Sequence, residues 1–505
     1  MKIIKLFKNI GISTLTFILQ IILMFFLRKV FILNIGIEYL GINELYTNIL
    51  TVLSLTNLGV ETAFVYFLYE PLVKNDLEMI ATLVNTFRKI YRWIALVLFI
   101  SGLIIIPFLH LIIGKSIFEK EQILIYYLFF LFNNILSYFA MYKVLLLQAD
   151  QNIYIVKIIK IIILIIGNIF QMYILIKYKN YMLYLIIMIL ITILTNITLN
   201  YVTNSYYPFL KKNSTKVLNE EFKKRLIQKV KDAFLYKIAT TIINSTDNIL
   251  ISIILGNIIV GYYSNYYVIL TAIISMIGIL NSSLISGIGN YLKINKENKK
   301  NEILFSRVIL IYFIIATILT SSIVLCINDF IIFWLGRDFI LSKSTILVIS
   351  INFYFQCIAH PLWMFRESSG LFDKIRNCIL LMAFLNIIFS YILGKLFGLS
   401  GIIGATVISR IFTLYWYEPR ILYKEIFKES VHNYWKIWIK YFKISSMLLI
   451  ILYFSLKNVE ENIYFSVIKI VISTITTIIY YCFKLKKTDE MEDLKQIVKK
   501  IKKLE

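Results

Sequence analysis

Long apolar runs alternate with short polar breaks along this chain, and the runs have the length of a bilayer crossing, about 20 residues at about 1.5 Å each. About fourteen qualify. Six come first, at roughly Ile10–Leu27, Asn43–Leu68, Trp93–Ile113, Ile123–Leu147, Ile155–Ile176 and Met182–Val202. After the largest polar break come Phe234–Leu255, Val260–Leu292, Ile309–Ile327, Ile346–Met364, Ile379–Phe397, Ile402–Tyr423, Ile437–Phe454 and Ile463–Phe483. The pattern predicts an all-α fold, a polytopic bundle of about 14 transmembrane helices. The break divides the first twelve helices into two six-helix halves. The expected organisation is therefore an N-terminal bundle over 1–205 (helices 1–6), a basic amphipathic linker over 206–232 and a C-terminal bundle over 233–426 (helices 7–12). Helices 13 and 14 follow over 427–484, then a basic tail over 485–505. A faint repeat accords with this: Leu45-Tyr46-Thr47-Asn48 resembles Tyr262-Tyr263-Ser264-Asn265, 217 residues on. Duplication of this kind is usual in transporters, whose cargo lies between the halves.

Charge orients the bundle. Of the 505 residues, 59% are hydrophobic and 16% charged, and the formal net charge is +24. On a soluble chain that excess suggests nucleic acid, but no helix-turn-helix or RNA-binding motif is present, so no nucleic-acid role is expected. With the N-terminus inside and loops alternating, only ten of the 53 Lys and Arg fall on outside connections, Arg28 and Lys29 among them. The positive-inside rule then puts both ends in the cytoplasm, with anionic membrane lipids as partners of the basic loops. Lys2, Lys5 and Lys8 precede a long apolar run with no A-x-A exit, so the first segment is expected to remain as a helix. Within the linker Leu218, Phe222, Leu226, Val230 and Phe234 fall at helical spacing, as do Leu494, Ile497, Val498, Ile501 and Leu504 in the tail. Both read as interfacial helices on anionic lipid.

Several chemistries are absent. Gly114-Lys115-Ser116 ends like a phosphate-binding loop, but Leu109 stands where its first glycine belongs, and no HExxH, GxSxG or CxxC occurs. Cys326, Cys357, Cys378 and Cys482 lie in or beside apolar runs as small core residues. No outside loop is large enough for a catalytic domain, the longest running from Asn328 to Lys343, so the expectation is not an enzyme, with no catalytic or metal-ligating residues.

Ionisable residues inside spans are costly and therefore mark function. Arg410, near mid-span, suits a phosphate or pyrophosphate contact, since guanidinium binds phosphate in a bidentate way; a structural ion pair with Asp247 is the alternative. Asp247, in Asn244-Ser245-Thr246-Asp247-Asn248, and Glu61, in Gly59-Val60-Glu61-Thr62-Ala63, are candidates for ion or proton coupling, or for polar helix packing. Arg28 is expected at the outer end of the first span, at a cavity mouth or snorkelling to the interface. Arg88, Arg92, Lys237 and Arg366 lie near inner ends, as anchors or as cations drawing in a pyrophosphate. His360, before Pro361, reads as a polar residue at a kink.

The chain also resembles a known family. The resemblance is carried by Arg28, by Glu38-Tyr39-Leu40-Gly41-Ile42-Asn43, and by Leu55-Thr56-Asn57-Leu58-Gly59-Val60-Glu61-Thr62-Ala63. Leu68-Tyr69-Glu70-Pro71-Leu72, Asp76 and Tyr91-Arg92 follow. In the second half Lys237, Ser245-Thr246-Asp247-Asn248-Ile249-Leu250-Ile251-Ser252 and Val260-Gly261-Tyr262-Tyr263-Ser264 continue it. These stretches resemble the Wzx-type polysaccharide and O-unit flippases of the multidrug/oligosaccharidyl-lipid/polysaccharide exporter superfamily. The resemblance implies two six-helix bundles around a central cavity plus two C-terminal helices, in a bacterial plasma membrane. It implies an undecaprenyl-pyrophosphate-linked oligosaccharide as cargo and alternating access, with Na+ or H+ as the coupling ion and no other cofactor. Glycan polymerase or assembly proteins would be the partners. A multidrug antiporter of the same superfamily and a membrane-embedded glycan polymerase or ligase are the alternatives.

Overall fold

The computed structural model describes residues 2–54, 60–114, 117–211, 245–295, 297–459 and 462–486, with single positions between 220 and 241. The linker and tail amphipathic stretches, Lys237 and the block 55–59 lie outside the described residues, apart from isolated linker positions. The protein is all-α, and eleven of its described helices are long and apolar enough to cross a membrane. It is a multi-pass membrane protein. The expected spans Ile379–Phe397 and Ile402–Tyr423 lie in one helical stretch, Lys374–Phe427, bent at Gly398 where φ is 60°. Only a residue without Cβ takes that conformation cheaply, so the glycine lets a chain of helix turn back without a loop.

The chain forms two units, residues Met1–Gly261 and Tyr262–Glu505. Unit 1 contains α1 (Lys2–Ile35), α2 (Ile37–Leu53), α3 (Val60–Lys74), α4 (Leu77–Ile105), α5 (Leu109–Ile113) and α6 (Lys120–Ser137). It continues with α7 (Met141–Ala149), α8 (Ile153–Tyr178), α9 (Tyr181–Tyr206) and α10 (Ser245–Leu255), and ends in the first turn of α11 (Asn257–Ile294). The second expected span runs over α2 and α3, with 55–59 between them outside the described residues. Two quoted sequence blocks meet where α2 crosses the start of α11. A Cβ on Gly41 would stand 1.9 Å from the carbonyl oxygen of Asn257, and the Asn257 amide donates to the Glu38 carbonyl at 3.3 Å. In lipid, where apolar surface gives no drive to associate, such backbone proximity is what holds helices together.

One end of unit 1 is laced by polar contacts. The Asn9 side chain donates to the Gln151 carbonyl at 2.9 Å and accepts from the Tyr154 amide at 3.1 Å. Beside them the Tyr207 hydroxyl and the Asn152 amide both donate to Asp150, each at 2.7 Å. The start of α1, the α7–α8 turn and the end of α9 are therefore fixed to one another.

Unit 2 packs around α12 (Asn298–Trp334), which α13 (Lys343–Ser369), α16 (Val431–Leu456) and α17 (Ile463–Lys484) surround; α14 (Phe372–Phe412) and α15 (Leu414–Leu422) complete it. Its last helix is tied in by charge. Lys469 Nζ lies 2.9 Å from Asp329 Oδ2, both side chains at least 96% buried, and the Ser466 hydroxyl donates to the same oxygen at 2.6 Å. Removing one partner leaves a buried charge unbalanced, which costs about 3–5 kcal/mol, whereas replacing both by apolar side chains is often neutral. Asp329→Ala should therefore sharply lower the melting temperature of the detergent-purified protein, and Asp329→Leu/Lys469→Met should restore most of it. Equal melting of Asp329→Ala and wild type would show that the pair holds nothing.

Candidate functional site

Unit 1 encloses two polar cavities on either side of α7 and α9. The first, about 260 Å³, lies between α4, α6, α7 and α9 and is lined by Arg88, Tyr91, Arg92, Tyr138, Tyr142 and Asn200, among others. Arg88 and Arg92 stand one turn apart on α4, so their guanidinium groups share a face. The second, about 380 Å³, lies between α1, α6, α7, α8 and α9, with Gln20, Lys157, Lys160, Thr192 and Thr195 on its walls. Asn196 borders both. Its amide donates to the Leu136 carbonyl at 2.6 Å, which fixes α9 against α6.

Lys143 is buried on α7 next to these cavities. Its ammonium donates to the side-chain oxygens of Asn200 and, at 2.7 Å, Asn204. Amide oxygens solvate the charge without cancelling it. Glu61 lies near enough to act electrostatically on Tyr91, Tyr138 and Lys160, and is the acidic group at this place. Among the described residues Arg88, Arg92, Lys157 and Lys160 form no salt bridge. Four cations therefore line the two cavities with a fifth, Lys143, buried beside them, in a bundle whose outer surface is apolar. The Tyr91 hydroxyl is buried with no hydrogen-bond partner, which leaves a donor for a ligand oxygen. Guanidinium and ammonium groups suit phosphate oxygens, while tyrosine faces, hydroxyls and amides suit a hydroxylated head group.

The other expected site residues are distributed as follows. Arg28 is not at a helix end. The helix continues through Ile35, about two turns further, because the charge that closes the apolar run in the sequence is met by Glu44 of α2, 2.9 Å away. Arg28 is 7% exposed and stands by Tyr184, in an aromatic cluster with Phe31, Tyr39, Tyr126 and Tyr181. Snorkelling is excluded for this side chain. Asp247 lies on α10, next to buried Ser245 and Asn248. In unit 2, Arg366 is buried and bonded to Glu418 at 2.7 Å. Arg410 lies within electrostatic reach of His360 and Tyr415. His360 Nδ1 meets the Asn281 amide at 3.0 Å, and Asn281 in turn accepts from the Tyr312 hydroxyl. Of the expected residues, Arg92 and Glu61 meet at one place. Lys157 and Lys160 were missed as wall residues and Lys143 as their buried neighbour, although their clustering around the turn at Gln148–Tyr154 was visible in the sequence.

The fold is similar to that of solved membrane transporters. The lipid II flippase MurJ, in an inward closed conformation, matches with a TM-score of 0.66 and 15% identity over 94% of this chain and 99% of that one. A multidrug resistance MATE family transporter of the MOP superfamily, in an inward-facing conformation, matches with a TM-score of 0.64 and 14% identity over 78% and 93% of the two chains. At this identity the likeness is one of fold. No family model and no curated protein matches the sequence.

The cavity charge has a direct readout. With exposed Cys482 changed to serine and Ile197→Cys introduced on the wall of the first cavity, an anionic methanethiosulfonate should react about tenfold faster than a cationic one of similar size. Arg88→Gln/Arg92→Gln should abolish the preference. Faster reaction with the cationic reagent would contradict this account of the cavity.

Proposed function

We propose that this protein is a flippase that moves an undecaprenyl-pyrophosphate-linked oligosaccharide from the cytoplasmic to the outer leaflet, by alternating access, for cell-surface polysaccharide assembly. The observation that carries the reading is the charge of the unit 1 cavity walls: among the described residues Arg88, Arg92, Lys157 and Lys160 line them, no carboxylate does, and Lys143 is buried beside them. A pyrophosphate leaving water loses its hydration, and a cavity that offers fixed cations replaces it. The resemblance of the sequence to Wzx-type flippases and the likeness in fold to a lipid II flippase support the same cargo class.

On this reading Arg92, with Arg88 and Lys143, takes the pyrophosphate, and the tyrosines and amides meet the sugars. Arg28, Arg410, Lys237 and Arg366 are further cationic candidates along the route. Arg366 and Arg28 already hold carboxylates, so their contribution would require those pairs to open. Glu61 and Asp247 are the candidates for coupling to Na+ or H+. Glu61 and Asp247 also support the multidrug antiporter reading, since acidic groups near a transport route suit cationic cargo.

The test uses cells that lack this protein. Undecaprenyl-linked oligosaccharide should accumulate on the cytoplasmic face, and the wild-type chain should relieve it. Losing a charged hydrogen bond to cargo costs about tenfold or more, so Arg92→Gln should reduce relief by at least that factor at unchanged protein level. Normal delivery in cells with no substitute flippase, or full relief by Arg88→Gln/Arg92→Gln, would overturn the proposal.

A further inference from the structure

Unit 2 carries a groove that the transport reading leaves unused. It is an apolar cavity of about 390 Å³ between α12, α13 and α16, lined by Leu325, Ile351, Tyr354, Phe442, Ile450 and Phe454, among others. Val324, Leu325, Leu347 and Tyr453 also border a second, polar pocket of about 70 Å³, so the two are adjacent. The polar pocket is framed by Lys343, Lys457 and Lys469, with Asn328 and Asp329. Lys469 is committed to Asp329. Lys343, the first residue of α13, and Lys457, just past α16, are exposed and enter no salt bridge among the described residues. Lys457 lies 4.6 Å from the ring centroid of Phe454, a groove residue, so its charge stands directly over the apolar wall.

The pocket end is rigid. Tyr266 donates to Asn328 at 2.6 Å and accepts from the Leu341 amide at 2.8 Å, which pins the turn before Lys343 to α12. Cations at the mouth of an apolar groove, at the end of helices that cross a membrane, match one class of molecule: an anionic head joined to a hydrocarbon chain. A chain in the groove removes apolar wall from contact with disordered lipid, and a phosphate between two unbalanced lysines neutralises both.

We propose that this groove is a fixed binding site for an anionic phospholipid, with its phosphate between Lys343 and Lys457 and one acyl chain along α12, α13 and α16. The site is separate from the unit 1 cavities, and occupancy does not depend on what the protein carries.

The test is photolabelling of the full-length protein in nanodiscs of phosphatidylglycerol and phosphatidylcholine. The probe is phosphatidylglycerol with a diazirine in one acyl chain, and labelled peptides are mapped by mass spectrometry. Label should concentrate on α13 and α16 peptides that contain Ile351 and Ile450, above the exposed face of α8 at Ile162, Ile166 and Phe170. Each basic residue near a membrane surface contributes about fivefold to affinity for anionic lipid. Lys343→Gln and Lys457→Gln should therefore each lower groove labelling by about that factor and leave α8 labelling unchanged. Ser446→Trp, which fills the groove and keeps both lysines, should also lower it. Groove labelling equal to that of α8, equal labelling by a phosphatidylcholine probe, or indifference to both lysine changes would overturn the site.

Discussion

A charge in hydrocarbon must be balanced or wetted, and this constraint separates two groups of charged residues in the protein. Arg28 with Glu44, Arg366 with Glu418 and Lys469 with Asp329 are balanced, at 2.7–2.9 Å and with both partners mostly out of solvent. Each joins two helices, so the energy of keeping a charge satisfied becomes a force that fixes packing. Arg88, Arg92, Lys143, Lys157 and Lys160 form the other group. Four of them line polar cavities, Lys143 is buried beside these, and among the described residues none forms a salt bridge; Glu61 acts electrostatically on Lys160. A site that keeps positive charge without a built-in counter-ion is prepared to accept a negative one.

The framework around that site is built to hold it still. Backbone contact at Gly41 locks α2 against α11, and the network of Asn9, Asp150, Asn152 and Tyr207 ties three chain segments at one end of the unit. Asn196 anchors α9, and Asn200 and Asn204 hold the Lys143 ammonium from that same helix. The polar residues of α9 thus serve packing and line the cavities together. This follows from the membrane: with no water to satisfy a buried amide, a neighbouring helix or a ligand must do it.

Helix positions were readable in the sequence because a bilayer forces one length and one polarity on every span. Gly398 falls between two of the expected spans, and the two helices meet there at a kink. The partners of the intramembrane charges were harder. Arg28 was placed at a helix end because a charge interrupts an apolar run; its partner Glu44, sixteen residues on, was not paired with it. The same signal was available at Glu418 and Asp329, carboxylates inside or beside apolar runs, each of which demanded a cation. Arg92 and Glu61 were identified as candidates, but that they meet around Tyr91 depends on how α3 and α4 pack, which no local pattern encodes. Lys143, Lys157 and Lys160 were not singled out, because positive-inside bias and a basic cavity wall leave the same mark along a chain.

The central claim is that cation-rich cavities in the first unit select an anionic, lipid-linked cargo. Its most direct test is transport by the purified protein in proteoliposomes, comparing a fluorescent prenyl-pyrophosphate-linked oligosaccharide with a cationic amphiphilic dye. The account predicts that the pyrophosphate-linked glycan crosses in a protein-dependent way and the dye does not. Transport of the dye with no movement of the glycan would contradict it.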